Sequence, residues 1–305
     1  MNLRIECIKD IETAKVLWNK FSPQKTIFDS WDFRYCFYKY IQYELFFYVG
    51  YIGEEAVGLF PLQYHKYRNH LEPFGGSYMY DVRVFIKSGF EECIPKFYMH
   101  LTLPCKIIDI IGDDEFTSSF PFSNYKFVLP LKNFKNVDEY LEKSFQSKDR
   151  TNLKRRVKLM ASEVTVEKNN FADLEILIQH NLESFGQESN FHKPFRREIF
   201  QSLLETNLDI QMFTFFLQAK KECVSLSIKY NDIYHYINLG LNKGASSHLW
   251  TYVTMYNIDH ALSLGCSEFD AGMESFTWKE KWNFSKVPEY KYNTCLEESN
   301  PKASV

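Results

Sequence analysis

Close to the end of the 305-residue sequence, the stretch CSEFDAGMESFTWKEKWNF (266–284) places an acid, a glycine and a lysine behind a short apolar run. Asp270 ends the run, Gly272 follows, and Lys279 stands between Trp278 and Trp282. Groups that bind or react gather beyond the carboxyl ends of strands in α/β folds, so Asp270 is a candidate for chemistry. A lysine beside tryptophans can be held by cation–π contact with its charge aimed at an anion. The same residues also suit plainer roles. Asp270 can anchor a turn through its own backbone, and Lys279 can be a solvated residue of a tryptophan-rich hairpin. No Ser-His-Asp or Cys-His arrangement with a recognisable spacing accompanies them.

The elements that must position these groups occur twice. FYVGYIGEEAVGLFPLQY (47–64) and FTFFLQAKKECVSLSIKY (213–230) each read as a β-hairpin, with turns at Gly53-Glu54-Glu55 and Lys220-Lys221-Glu222. After the first come LEPFGGSYMYD, a helix near 89–101 and the strand CKIIDIIG. After the second come the strand IYHYINLGL, the loop NKGASSH, a helix near 248–264 and the strand SEFDA. Gly265 is placed to stop that helix in a left-handed conformation. FADLEILIQHNLESFG and PFRREIFQSLLETN have the period of amphipathic helices. The repeated order argues for a duplicated domain, with lobes at 1–145 and 161–305 and a basic helix at 146–160 linking them.

Composition narrows the class. The chain is 45% hydrophobic and 25% charged, as expected for a globular protein with a large core. Its 28 Phe and 20 Tyr suit an aromatic core more readily than a long ligand cleft. A net charge of -3 supplies no global attraction to nucleic acid. The seven cysteines are scattered without a CxxC pair, so neither a disulfide framework nor a metal site is expected. The N-terminal residues lack the apolar core of a signal peptide, and no uncharged stretch is long enough to span a bilayer. A cytoplasmic protein is the expectation.

Three stretches carry a family resemblance: FDSWDFRYCF with VGLFPL near the start, SKDRTNLKRRVKLM in the middle, and ALSLGCSEFDAGMESFTWKEKW near the end. Together with the element order they resemble the GNAT acyltransferase fold in tandem, in particular the cellulose-biosynthesis-type acetyltransferases and the Fem peptidyltransferases. The resemblance implies an α/β (α+β) fold of two GNAT-like lobes, each a mixed, mostly antiparallel sheet flanked by helices. It implies N-acyl transfer from acyl-CoA, as a co-substrate and not a tightly bound cofactor, to the amine of a small molecule, amino sugar or amino acid. Aminoacyl-tRNA as donor is the alternative, and a non-catalytic ligand-binding GNAT protein is a third reading.

The resemblance also assigns places. The donor arm would lie against the strand DIYHYINLG, where His235 is a candidate base or a packed core residue, and where Tyr234 and Tyr236 share the opposite face. The donor pyrophosphate would meet the loop Asn242-Lys243-Gly244-Ala245-Ser246-Ser247 at a helix N-terminus, although Ser246 or Ser247 can equally serve as a helix cap. That loop departs from the usual Gln/Arg-x-x-Gly-x-Gly/Ala pattern. Lys279 matches a lysine that assists catalysis in Fem proteins. Tyr80 and Asp81 of GGSYMYD, in the corresponding loop of the first lobe, would touch the acceptor or cap a turn. Six of the eleven residues from Lys148 to Lys158 are basic, and Arg155 or Arg156 could grip phosphate or belong to a solvated face.

Overall fold

The computed structural model describes residues 2–273 and 277–295. In chain order these form β1 (Arg4–Ile8), α1 (Ile11–Phe21), α2 (Trp31–Ile41), β2 (Glu44–Ile52), β3 (Glu55–His65), β4 (His70–Pro73), β5 (Phe85–Ile86), α3 (Ile94–His100) and β6 (Lys106–Ile111). There follow α4 (Glu115–Ser118), β7 (Phe122–Pro130), α5 (Val137–Ser144), α6 (Ser147–Ala161), β8 (Val164–Lys168), α7 (Leu174–Phe185) and α8 (Phe195–Leu204). The last elements are β9 (Asp209–Leu217), β10 (Lys220–Tyr230), β11 (Ile233–Leu241), α9 (Ser247–Ser263), β12 (Glu268–Asp270), α10 (Thr277–Lys281) and β13 (Ser285–Asn293). Strand, two helices, hairpin, third strand, helix and further strand thus recur in the same order.

The chain divides into two compact units. The first comprises residues 1–24, 28–124 and 288–305, and the second residues 25–27 and 125–287. This differs from a division at 145 with a linker helix. The physical reason is an exchange of strands. Most of β7, encoded in the first half, pairs antiparallel with β12 in the second unit, and β13, encoded last, pairs antiparallel with β6 in the first. The basic helix α6 is likewise no linker: it lies within the second unit and packs against α9.

In the first unit β1, β2, β3 and β4 follow one another antiparallel, with β5 also beside β3. Helix α1 starts where Asp10 accepts from Thr13 N at 2.8 Å, and α2 where Ser30 caps Phe33 N. Trp18, Phe47, Phe74 and Phe85 pack between α1, α2 and the sheet, Trp18 meeting Phe85 edge to face at 4.9 Å. The abundant aromatic residues thus build core, each ring burial contributing about 1.5–3 kcal/mol.

In the second unit the strands lie in the order β7, β12, β11, β10, β9, β8, antiparallel except for the pair β11–β12. The hairpin β9–β10 turns at Gln218 and Ala219, both at positive φ (51° and 63°), two residues before the expected Lys-Lys-Glu turn. Two successive left-handed residues define the turn type that suits a two-residue hairpin, but neither residue is one that usually signals it. Gly265 follows α9 at φ 70°, as expected for the residue ending it.

Helix α7 crosses β11 at Gly240. A Cβ there would lie 2.3 Å from the carbonyl oxygen of Leu177 and 2.7 Å from its Cα, so only glycine permits the helix to sit this close. Gly240→Val should therefore lower the unfolding free energy by about 1–3 kcal/mol, the usual cost of overpacking. A denaturant midpoint unchanged from the parent would show that α7 does not press on the strand.

Candidate functional site

Strands β11 and β12 pair at Ile233–Glu268, Tyr234–Phe269 and His235–Asp270, and there β12 ends. Strand β11 runs on to Leu241 with β10 as its partner on one side only. A bulge marks the parting: Ser227 faces Tyr236 and Leu226 faces Asn238, so Ile237 is the extra residue. Past Asp270, Gly272 takes φ 71°, a left-handed conformation natural to glycine, and the chain leaves the sheet. A fork therefore opens at Tyr236.

A chain of polar contacts holds the base of this fork. His235 and Asp270 are buried, with Nδ1 of the imidazole 3.2 Å from Oδ2 of the carboxylate. The backbone N–H of Ile27 donates to His235 Nε2 at 3.3 Å. An N–H can only donate, so Nε2 carries the lone pair and Nδ1 the proton. Asp270 Oδ1 accepts from Gly272 N at 2.7 Å. The carbonyl of Gly272 accepts from Phe127 N at 3.0 Å and from Lys279 Nζ at 3.3 Å, and Lys279 also donates to the Met273 carbonyl.

The segment bearing Lys279 is the short helix α10, not the hairpin of the plainer alternative. The lysine is buried, its ammonium 5.1 Å from the ring of Phe127 and 6.0 Å from that of Trp278. Trp278 packs edge to face on Trp250 and Phe284, while Trp282 is core, its carbonyl accepting from Tyr140 at 2.6 Å. The structure thus brings Asp270, His235 and Lys279 into one connected group. In this arrangement His235 braces Ile27 against Asp270, and Lys279 ties α10 to the loop at Gly272 and Met273.

Tyr236 is the first residue past the last β11–β12 pair. As alternation required, it shares a face with Tyr234, and both rings lie on Phe269, at 5.6 and 5.1 Å. The Tyr234 hydroxyl donates to Asn257 at 2.9 Å. The Tyr236 hydroxyl is enclosed with no hydrogen-bond partner among the described residues. Burial pushes its pKa up, so it stays protonated and able to donate.

At the far end of β11, Asn242 Oδ1 accepts from Gly244 N at 3.1 Å and orders the loop. Ser246 is the N-cap of α9, its hydroxyl accepting from His248 N at 3.1 Å, while Gly244, Ser246 and Ser247 are exposed. The N–H groups of Ala245 and Leu249 are also bonded, to the carbonyls of Asn242 and Ser246 at 2.9 Å, so an anion at this helix start would share donors already engaged within the loop. A Cβ on Gly244 would meet nothing nearer than Asn242 Oδ1 at 3.8 Å, so the fold itself leaves room for a side chain.

Sequence reading missed the side chains that cover β11 beyond the fork. Asn242 N–H bonds to Glu222 on β10, so by alternation Leu239 and Leu241 turn their backbone groups to the other edge. There Asn181 of α7 donates to the Leu239 carbonyl at 2.9 Å and to Asn238 Oδ1 at 3.0 Å. Leu239 N donates to the same Asn238 oxygen at 2.8 Å, and Ser184 of α7 donates to the Leu241 carbonyl at 3.1 Å. The signal that could have found them is Gly240, a glycine inside the otherwise bulky strand IYHYINLGL, where a neighbouring backbone can come close.

Two of the remaining candidates lie on α6. Arg155 is exposed on α6 and donates to Asn152 at 3.3 Å, while Arg156 is half-buried with an enclosed Nε. The basic stripe is partly neutralised by the Lys154–Asp138 pair at 2.6 Å. Tyr80 and Asp81 belong to the first unit. Tyr80 lies 3.8 Å from Phe28 between ring centres. Asp81 is buried at φ 54° beside the equally buried Arg34, whose pKa burial lowers to about 10, still high enough to stay charged. Among the described residues there is no cluster of potential metal ligands and no helix long and apolar enough to cross a membrane.

Residues 147–280 match the family described as "Acetyltransferase (GNAT) domain". No curated protein matches the sequence. Among solved structures the chain is similar to FemX, with a TM-score of 0.60 at 13% identity over 95% of this chain and 97% of that one. It is also similar to L-PGS from Bacillus licheniformis, with a TM-score of 0.58 at 12% identity over 95% and 94% of the two chains. A tandem GNAT protein from the clavulanic acid biosynthesis pathway gives a TM-score of 0.51 at 8% identity over 95% and 96%. The chain has the tandem GNAT fold and resembles the Fem type in structure, and its second half matches the GNAT domain family.

If the contacts at the base of the fork carry weight, Asp270→Ala should destabilise the protein by about 2–5 kcal/mol. It would remove the hydrogen bonds that Asp270 accepts from His235 Nδ1–H and Gly272 N–H, at about 1–3 kcal/mol each. A loss below about 0.5 kcal/mol in denaturant unfolding, within the range of ordinary surface changes, would contradict this.

Proposed function

We propose that the protein is an N-acyltransferase that moves an acyl group from acyl-CoA to the amine of a small molecule, amino sugar or amino acid. The observation that carries the reading is the fork. Strand β11 leaves β12 at His235 and runs toward the exposed loop at the start of α9. The acetyltransferase domain matched at 147–280 supports it. A donor laid in the fork would bring its acyl group to Tyr236 and its phosphates to Gly244, Ser246 and Ser247.

The amine nitrogen then attacks the thioester carbonyl carbon. A C–N bond forms, negative charge gathers on the oxygen, and the C–S bond breaks as the thiolate leaves. The proton lost by the amine passes through solvent to that thiolate, giving the free thiol. A hydroxyl kept protonated by burial is a hydrogen-bond donor for the developing oxyanion, and Tyr236 has that character. Asp270, His235 and Lys279 act through position, fixing the fork and its adjoining loop. A second reading, with aminoacyl-tRNA as donor, draws on the likeness to FemX and on the side chains that already cover β11.

Calorimetric titration with coenzyme A tests the donor assignment. Gly244→Val should lose at least about tenfold in affinity, equivalent to about 1.4 kcal/mol, while melting like the parent. Parental binding, or no binding of coenzyme A by the parent itself, would set the assignment aside. Once an acceptor is found, Tyr236→Phe should lower kcat about 10²-fold with little change in donor affinity, the scale on which one oxyanion donor acts. An unchanged kcat would remove Tyr236 from the chemistry.

A further inference from the structure

The hydrogen-bond network on the free edge of β11 is fully determined. The Leu239 carbonyl can only accept, which fixes one N–H of Asn181 on it. Leu239 N–H can only donate, which makes Asn238 Oδ1 the acceptor and gives it the second N–H of Asn181. Asn181 Oδ1 accepts from the Ser189 hydroxyl at 2.7 Å, and that hydroxyl in turn accepts from Phe191 N at 3.0 Å. Each amide hydrogen and the amide oxygen of Asn181 has a partner, and Asn181, Asn238 and Ser189 are all buried. A buried network satisfied in this way is rigid.

A donor arm containing amides pairs with a strand edge as an added strand does, through main-chain N–H and C=O groups that face it. On β11 the groups of Leu239 that would serve are occupied by Asn181 and Asn238, and the carbonyl of Leu241 is occupied by Ser184. Helix α7 can reach them because Gly240 lets it lie against the strand.

We infer that Asn181 is a residue that sets donor affinity: its carboxamide stands in for the donor's amide on β11, so an acyl-CoA arm binds by displacing it and binds more weakly than it would to an open edge. The inference rests on the proposed placement of the donor in the fork. An arm that pairs with Leu239 must displace Asn181 and break its bonds to Leu239, Asn238 and Ser189. A donor that meets β11 only near Tyr236 need not displace it.

The test is coenzyme A binding by titration calorimetry to the full-length parent and to Asn181→Ala, with circular dichroism and thermal unfolding as checks of folding. Asn181→Ala should bind about tenfold more tightly, on the order of one net hydrogen bond no longer broken. Ser184→Ala, which alters an exposed residue and should fold whatever Asn181→Ala does, should bind about two- to threefold more tightly by the same reasoning. Equal or weaker binding in folded variants, with a parent that binds coenzyme A, would overturn the role of Asn181 and leave the donor placement standing. Absence of coenzyme A binding in the parent and in both variants would instead overturn the donor placement, and this inference with it.

Discussion

One buried contact, His235 to Asp270, sets the geometry of the second unit. It joins the last paired residues of the only parallel strand pair in that unit's described sheet, at the point where the two strands part. Each partner is tied to something else: the imidazole to the backbone of Ile27, the carboxylate to the backbone of Gly272. The ties are directional because a backbone N–H can only donate. The fork, the left-handed turn at Gly272 and the seating of α10 through Lys279 all follow from this base. Loss of either side chain would break buried hydrogen bonds, a larger cost than the loss of an exposed pair.

Much of this fold was legible in the sequence because the signals were local. Helix α9 was bounded by its capping serine and by Gly265, β11 by its alternation, and the duplication by the recurrence of the hairpins. The turn at Gln218-Ala219 was not legible, since its φ angles are imposed by the hairpin and neither residue prefers them. Nor was the assignment of β7 and β13. Strand pairing over such distances depends on which edge is free, a property of the assembled sheets and not of the strands themselves.

For the site, sequence reading found the residues and misjudged their relations. Asp270, His235 and Lys279 were singled out one by one for charge and placement, but nothing in a separation of 35 residues shows that the histidine faces the carboxylate. Lys279 was read either as held beside aromatic rings with its charge aimed at an anion or as a solvated residue of a hairpin; it lies buried beside Phe127 and Trp278 on a short helix, with its charge on backbone carbonyls. Asn181 drew no notice, because a polar residue within an amphipathic helix normally faces water. Only the approach of α7 at Gly240 turns it onto a strand edge.

The exchanged strands bear on how the chain is made. Strand β6 is complete at Ile111, yet the partner it pairs with, β13, ends at Asn293, on the order of 180 residues later. At roughly 5–20 residues per second, the ribosome exposes β6 for about ten seconds or longer before that partner exists. Through this interval its apolar run KIIDII has an open edge, the kind of segment that recruits wrong partners. The nascent chain is therefore most vulnerable to aggregation while its second half is being synthesised, and chaperone demand should be greatest then.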